Sequence, residues 1–247
     1  MNIVITAGGT SEKIDNVRKI TNSSSGKLGN IIAKTFLNNS FKLDNIFYIC
    51  TKQSLKPYNK KIKIVLVESV NDLKNAVIDI LTNNNIDLFI HTMAVSDYTV
   101  DYVTTTDLLY KNFSNQSLNN AELFKELIDN NPFILSNDKK ISSSEDNLII
   151  KLKPTPKIIS IIKTISPKTN LIGFKLLNDV KNEELIDAGY NLLLKNNCAL
   201  VIANDLKNIN ENKHKAFFID KNKQLLEVNT KIEIANTLFK FIKENKL

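Results

Sequence analysis

The chemistry legible in this chain is concentrated in one stretch, residues 3–29, IVITAGGTSEKIDNVRKITNSSSGKLG. A short apolar strand, Ile3-Val4-Ile5, runs into Ala7-Gly8-Gly9-Thr10. A polar excursion carries Asp15 and Arg18, and Thr21-Asn22-Ser23-Ser24-Ser25-Gly26-Lys27-Leu28-Gly29 leads into a helix. Glycines let backbone N–H groups come close to a ligand, and a helix start favours anions. The serines add hydroxyl donors. The combination suits a polyphosphate. It is not a Walker A loop, because Leu28 follows Gly26-Lys27 and Thr21 stands where the first glycine should be. Nor does Gly8-Gly9 have the G-x-G-x-x-G spacing. Taken as generic turns, strand-to-helix loops account for these glycines as readily as a phosphate site does.

The elements that would position this stretch follow from periodicity. Leu28, Ile31, Ile32 and Phe36 predict a helix to about Asn39. Residues 45–50, 62–67 and 86–91 read as strands, with a helix through Val70, Leu73, Val77, Ile80 and Leu81 between the last two. Further strands are predicted over 148–152, 171–175 and 199–205, and helices over 121–128 and 183–195. A helix is also expected to start at Pro154-Thr155-Pro156-Lys157, with Pro156 in its first turn. Segments 216–219 and 225–228 flank 220–223 as a hairpin, and a last helix carries Ile232, Ala235, Leu238, Phe239 and Ile242. Helices alternating with apolar strands predict an α/β, Rossmann-like three-layer fold, with a mainly parallel sheet and a C-terminal hairpin and helix. One domain over 1–247 is expected, with an irregular, flexible flap or lid at 103–145.

Composition narrows the function classes. The chain has 247 residues, 43% of them hydrophobic, enough for one sizeable core. No apolar run is long enough to span a membrane, and the first strand leaves no room for a signal peptide, so a cytoplasmic protein is expected. Cys50 and Cys198 lie far apart in apolar runs and read as reduced core thiols, not as a metal motif. His91 and His214 belong to no nucleophile or metal pattern. The net charge of +7 comes from scattered lysines without an aromatic stripe, which argues against nucleic acid. A solvated surface, or attraction of small anionic substrates, accounts for it.

The strings T-A-G-G-T, I-D-x-V-R and I-T-N-x-S-S-G-K-x-G together resemble the signature of the phosphopantothenate–cysteine ligase family. Four further blocks follow in order: A-V-S-D-Y, then K-I-S-S with L-K-P-T-P-K-I-I, then G-F-K, then A-N-D. The resemblance covers nearly the whole chain and is to the stand-alone bacterial type. It implies condensation of 4′-phosphopantothenate with L-cysteine to 4′-phosphopantothenoylcysteine, in coenzyme A biosynthesis. CTP or ATP would be the co-substrate, Mg²⁺ the metal, and an acyl-nucleotide the intermediate. It implies catalytic roles for Asn22 and Lys140. Gly8, Ser24, Gly26, Gly29, Lys140, Phe174, Lys195 and Asn204 would hold nucleotide, and Arg18, Asn22, Ala94 and Asp97 substrate, with Asp97 also a metal ligand. In the family the arginine at the Arg18 position comes from the neighbouring subunit, which implies a homodimer, and a separate decarboxylase would be the pathway partner. Met93, Asn191, Ser142 and Ser143 depart from the family pattern, at the cost of lysines at the last three. Two rivals stand beside this reading: a nicotinamide-dependent oxidoreductase, for which no Tyr-x-x-x-Lys site is found, and a basic nucleic-acid-binding protein.

Overall fold

The computed structural model describes residues 1–39, 42–113, 121–245 and 247. In chain order the first elements are β1 (Asn2–Ala7), β2 (Ser11–Lys13), β3 (Lys19–Thr21), α1 (Lys27–Asn38), β4 (Asn45–Cys50), β5 (Ile62–Leu66), α2 (Val70–Asn83) and β6 (Leu88–His91). There follow β7 (Tyr98–Thr105), α3 (Thr106–Phe113), α4 (Ala121–Asp129), β8 (Leu148–Pro154), α5 (Ile158–Ile165) and β9 (Asn170–Leu177). The chain closes with α6 (Asn182–Asn196), β10 (Leu200–Ile209), β11 (His214–Ile219), β12 (Leu225–Val228) and α7 (Lys231–Glu244). These elements form two compact units.

The first unit comprises residues 1–10, 22–95 and 157–247. Its eight-stranded sheet has the order β12-β11-β10-β9-β6-β1-β4-β5. The six strands from β10 to β5 are parallel, and β11 and β12 add an antiparallel hairpin at one edge. The expected mainly parallel α/β sheet is therefore present. Successive strand residues point to opposite faces. On one face Ile3, Ile5, Ala7, Ile90, Ile172, Leu200 and Ile202 pack against Ile32 and Phe36 of α1 and Ile234 and Leu238 of α7. On the other, Val4, Phe89, Leu171 and Val201 pack against Leu73 and Val77 of α2, Ile162 of α5 and Leu193 of α6. Strands buried on both faces are what a covered parallel sheet requires.

Cys50 and Cys198 are fully buried, and burial pushes both thiols up, Cys198 to about 12. His91 packs at the end of β6. The Thr6 hydroxyl accepts the Met93 N–H (3.1 Å) and lies 2.9 Å from His91 Nδ1, where it can donate to a neutral ring.

The second unit comprises residues 11–21 and 96–156. It contains the antiparallel pairs β2–β3 and β7–β8, with α3 and α4. Thr99 Oγ1 donates to Glu12 Oε2 (2.6 Å), linking the two pairs. Two expectations change here. Residues 103–105, expected to open an irregular flap, complete β7. Their threonines read as loop-like, but β-branched side chains favour strands. Val103 and Thr104 are buried, and Thr104 Oγ1 donates to Phe133 O (2.6 Å). Residues 114–120 of the expected flap lie outside the described residues. Pro156 is not in a helical first turn, because β8 runs to Pro154 and α5 begins at Ile158. A residue before proline is biased to extended backbone. Thr155 is held so, its N–H donating to Asp97 O and its hydroxyl to Ser96 O (3.0 and 2.6 Å).

The two histidines make stability depend on pH. Burial lowers both to about 4, with Lys231 adding to the effect at His214. An unfolded imidazole takes its proton near 6.5, so stability is complete above pH 6.5 and is lost as pH falls from there toward 4. Urea unfolding is expected to show one cooperative transition, as a single domain over 1–247 requires. Between pH 7 and pH 5 each histidine should cost about 2 kcal/mol. His91→Gln and His214→Gln should flatten that slope, and a slope unchanged in both would show that other groups set it.

Candidate functional site

The turn after β1 is held by backbone bonds on two sides. Ala94 N–H donates to Gly8 O (2.9 Å), Thr10 N–H to Ala94 O (3.0 Å), and Asn22 N–H to Thr10 O (3.0 Å). Gly8 has φ +94°, and a Cβ there would lie 2.0 Å from Ser54 Oγ. A Cβ on Gly9 would lie 1.7 Å from the carbonyl oxygen of Asn22. Neither place tolerates a side chain. The turn at the start of α1 is built the same way. Gly26 is left-handed at φ +70°, and a Cβ on it would approach Gly8 N at 3.2 Å. Gly29 brings α1 against β1, where a Cβ would meet that of Ala7 at 2.7 Å. Gly8, Gly26, Gly29, Ala94 and Asn22 are thus brought together.

The start of α1 suits an anion. Gly26 supplies no side-chain cap, and the first turn contains no acidic residue. Lys27 N–H makes a long bond to Ser25 Oγ (3.4 Å), and first-turn amides without a side-chain cap favour a phosphate oxygen through their partial positive charge. Ser24 and Ser25 are exposed beside it.

Strand parity and register place the remaining residues of the first unit. Phe174 follows Ile172 by two on β9, and Asn204 follows Ile202 by two on β10, so both face the α1/α7 side. Leu200, Ile172, Ile90 and Ile5 are level across β10, β9, β6 and β1. Phe174 and Asn204 therefore lie toward the carboxyl ends of the strands, the edge where open α/β sheets bind ligands. Asp205, the next residue, faces the other way. Its buried carboxylate accepts the N–H groups of Asp179, Val180 and Lys207 (2.9, 3.2 and 3.0 Å) and fixes the turn before α6.

Lys195 stands apart from these residues. Helix α6 must run back from the carboxyl end of β9 to the start of the parallel β10. Lys195, in its last turn, is exposed at the opposite edge of the sheet. Leu193 beside it packs on the α2/α5 face. The family lysine spacing is legible in sequence, but the direction of α6 and its face of the sheet take Lys195 away from Gly8 and Gly26.

In the second unit, Asp15 is the organising residue, and its role was missed in sequence. The carboxylate is fully buried and accepts the N–H groups of Val17, Arg18 and Ile141 (2.8, 2.7 and 3.1 Å). Arg18 Nε and Nη2 donate to its Oδ2 (2.9 and 2.6 Å), and Nη2 also donates to Ile141 O (2.9 Å). Burial pushes this carboxyl up, but the Arg18 guanidinium and three amides outweigh it and hold it well below the usual carboxylate range. The signal was the spacing of Asp15 and Arg18, which lets an Asx-type turn hold its own arginine. Lys140 is exposed and adjoins the pinned Ile141, and the Asp97 side chain is exposed. Among the described residues no three His, Cys, Asp or Glu side chains cluster as a metal cage.

Residues 1–127 and 133–246 match the family described as DNA/pantothenate metabolism flavoprotein C-terminal domain. The crystal structure of the DNA/pantothenate metabolism flavoprotein from Streptococcus pneumoniae is similar at 39% identity and a TM-score of 0.82, over 99% of both chains. The C-terminal domain of the coenzyme A biosynthesis bifunctional protein CoaBC is similar at 26% identity and a TM-score of 0.68, over 98% of this chain and 94% of that one. The CoaBC protein of Thermococcus kodakarensis is 30% identical over 96% of this chain and 49% of its own length. The chain spans about half the length of the curated relatives it matches.

The turn geometry makes Gly9 the most sensitive position. Gly9→Ala must displace either its own turn or Asn22, and should lower the unfolding free energy by about 2 kcal/mol. Amide exchange at Thr10 and Asn22 should accelerate with it. Unchanged exchange at both amides would show that the turn accommodates a side chain.

Proposed function

Because the chain belongs to the DNA/pantothenate metabolism flavoprotein C-terminal domain family, we propose that it joins 4′-phosphopantothenate to L-cysteine at the expense of a nucleoside triphosphate. The observation that carries this is the uncapped, left-handed glycine start of α1 against the glycine turn of β1. Phe174 and Asn204 on the same face and edge support it. So do relatives named for coenzyme A biosynthesis.

A carboxylate and an amine do not condense unaided at neutral pH, because the carboxylate is a poor electrophile. In the proposed first step the phosphopantothenate carboxylate attacks the α-phosphorus of CTP or ATP. A phosphorus–oxygen bond forms, and the bond to the departing pyrophosphate breaks. In the second step the cysteine amine attacks the acyl carbon, loses a proton, and expels the nucleoside monophosphate. The amides after Gly26, with the Gly8 turn and Ser24, hold phosphate oxygens. Phe174 packs by the base, and Asn204 reaches the nucleoside. Mg²⁺ would neutralise phosphate charge. Hard oxygens fit it, since this ion takes one or two carboxylates and completes its shell with phosphate and water. The exposed Asp97 carboxylate, beside Ala94 in the same substrate-binding block, is the proposed protein ligand.

Asn22 has its backbone fixed by Thr10, so its side-chain amide N–H can be aimed at the acyl oxygen, and the amide does not ionise there. Arg18 has two guanidinium nitrogens committed to Asp15, a fixed posture in which to meet the substrate phosphate of a partner subunit. A cytoplasmic homodimer, fed to or from a separate decarboxylase, is the assembly this implies. Lys140, exposed on the segment that leads to β8, is proposed to meet the charge that grows as pyrophosphate leaves.

Phosphopantothenate with CTP or ATP should release pyrophosphate and leave a bound acyl-nucleotide before cysteine is added. Release of inorganic phosphate and a nucleoside diphosphate would sink the mechanism. Asn22→Asp puts a carboxylate beside an anionic intermediate and should slow amide formation roughly a hundredfold, as loss of an oxyanion donor does.

Lys140→Gln should slow the first half-reaction in single-turnover measurements while nucleotide affinity is kept. Lys139→Gln should do little, and equal small effects from both would remove Lys140 from the site.

A further inference from the structure

With Lys195 at the far edge of the sheet, the first unit lacks the cation the family resemblance assigned to it. Another lysine stands where that charge is needed. Strand β12 is antiparallel to β11, which is antiparallel to β10. It therefore runs parallel to β1, and α7, which follows it, starts at the same carboxyl edge as α1. The two helices run side by side in the same direction, with Phe36 and Phe239 meeting edge to face at 5.3 Å at matching depths. Their first residues, Lys27 and Lys231, are consequently neighbours on the face that carries Phe174 and Asn204.

The two helix starts differ in what they leave unsatisfied. Helix α7 is capped by its own side chains. Thr230 Oγ1 accepts the Glu233 N–H (3.1 Å), and Glu233 Oε2 accepts the Asn229 N–H (2.7 Å). Its amides are not the attraction, and what it offers is the ammonium group of Lys231. That group is partly buried, while Lys27 is exposed. Neither lysine forms an ion pair among the described residues. Burial, and then the charge of Lys27, lower the Lys231 pKa. Two like charges held together, one of them partly desolvated, are costly unless an anion lies between them. The adjoining uncapped start of α1 asks for the same anion.

We propose that Lys231 is a nucleotide-binding residue of this chain, which with Lys27 and the first turn of α1 grips the phosphates of the nucleoside triphosphate. Helix α7 thereby does two jobs. Its apolar face closes the core on the α1 side, and its first residue supplies the cation that α6 cannot deliver. The proposal rests on the ligase reading for the identity of the nucleotide, but the anion site itself does not require it.

The test uses the full chain and two probes, CTP and inorganic tripolyphosphate, with calorimetry at two salt concentrations. Lys231→Gln should weaken both probes about tenfold or more, as loss of a charged hydrogen bond does, and should lessen the salt dependence. Lys231→Arg should restore most of the affinity, which a merely structural role would not require. Lys243→Gln, at the other end of α7, should match the wild type, and thermal unfolding should show all variants folded. If wild type binds both probes and Lys231→Gln binds them equally well, this inference fails and the ligase reading stands. If wild type binds neither probe, the phosphate cradle itself is wrong and both fail. If tripolyphosphate binding depends on Lys231 but pyrophosphate is never released from CTP or ATP, the anion site holds and the ligase reading falls.

Discussion

The carbonyl oxygen of Asn22 leaves no room for a side chain at Gly9, and much of the first unit follows from that crowding. Backbone can approach backbone this closely only where Cβ is missing. The approach lets the turn after β1 bond to Ala94 on one side and Asn22 on the other. It thereby sets the end of β1, the loop after β6 and the entry to α1 at fixed separations. The second glycine turn, at Gly26, presses on the first. The proposed phosphate cradle needs amides whose direction does not depend on mobile side chains. Stacked glycine turns provide this, and the polar serines around them can stay exposed.

Most of the sheet was legible because its strands are apolar on both faces and separated by helical periodicity. The hairpin and α7 were legible for the same reason. What was hidden was direction and face. Asn204 and Asp205 look alike in sequence, yet pleating sends one to the α1/α7 side and the other to a turn that it pins with two backbone bonds. Lys195 lies near Asn204 along the chain but at the other end of the sheet, because the helix between parallel strands must travel backwards. Such distinctions depend on the neighbours a strand finds, which local composition does not record. The threonines of β7 show a different failure, in which a polar but β-branched run was read by its polarity.

Within the second unit, Asp15 explains why a short polar excursion can be an ordered element. A buried carboxylate is costly unless it is fully satisfied. Here three amides and one guanidinium share it, and one of those amides belongs to Ile141, far along the chain. The same bonds that neutralise Asp15 therefore fix both Arg18 and the residue after Lys140. Arg18 and the segment around Lys140, far apart in sequence, are tethered to one acid.

The burial of Cys50 and Cys198 has a redox consequence. Thiol–disulfide exchange is carried out by the thiolate. Both sulfurs are sealed in the core, and burial keeps both protonated. An enzyme that takes free cysteine as its amine works in contact with a reactive thiol and with the cystine it forms on oxidation. Neither cysteine thiol of this chain is open to capture by them, so mixed disulfides with free cysteine cannot form without unfolding.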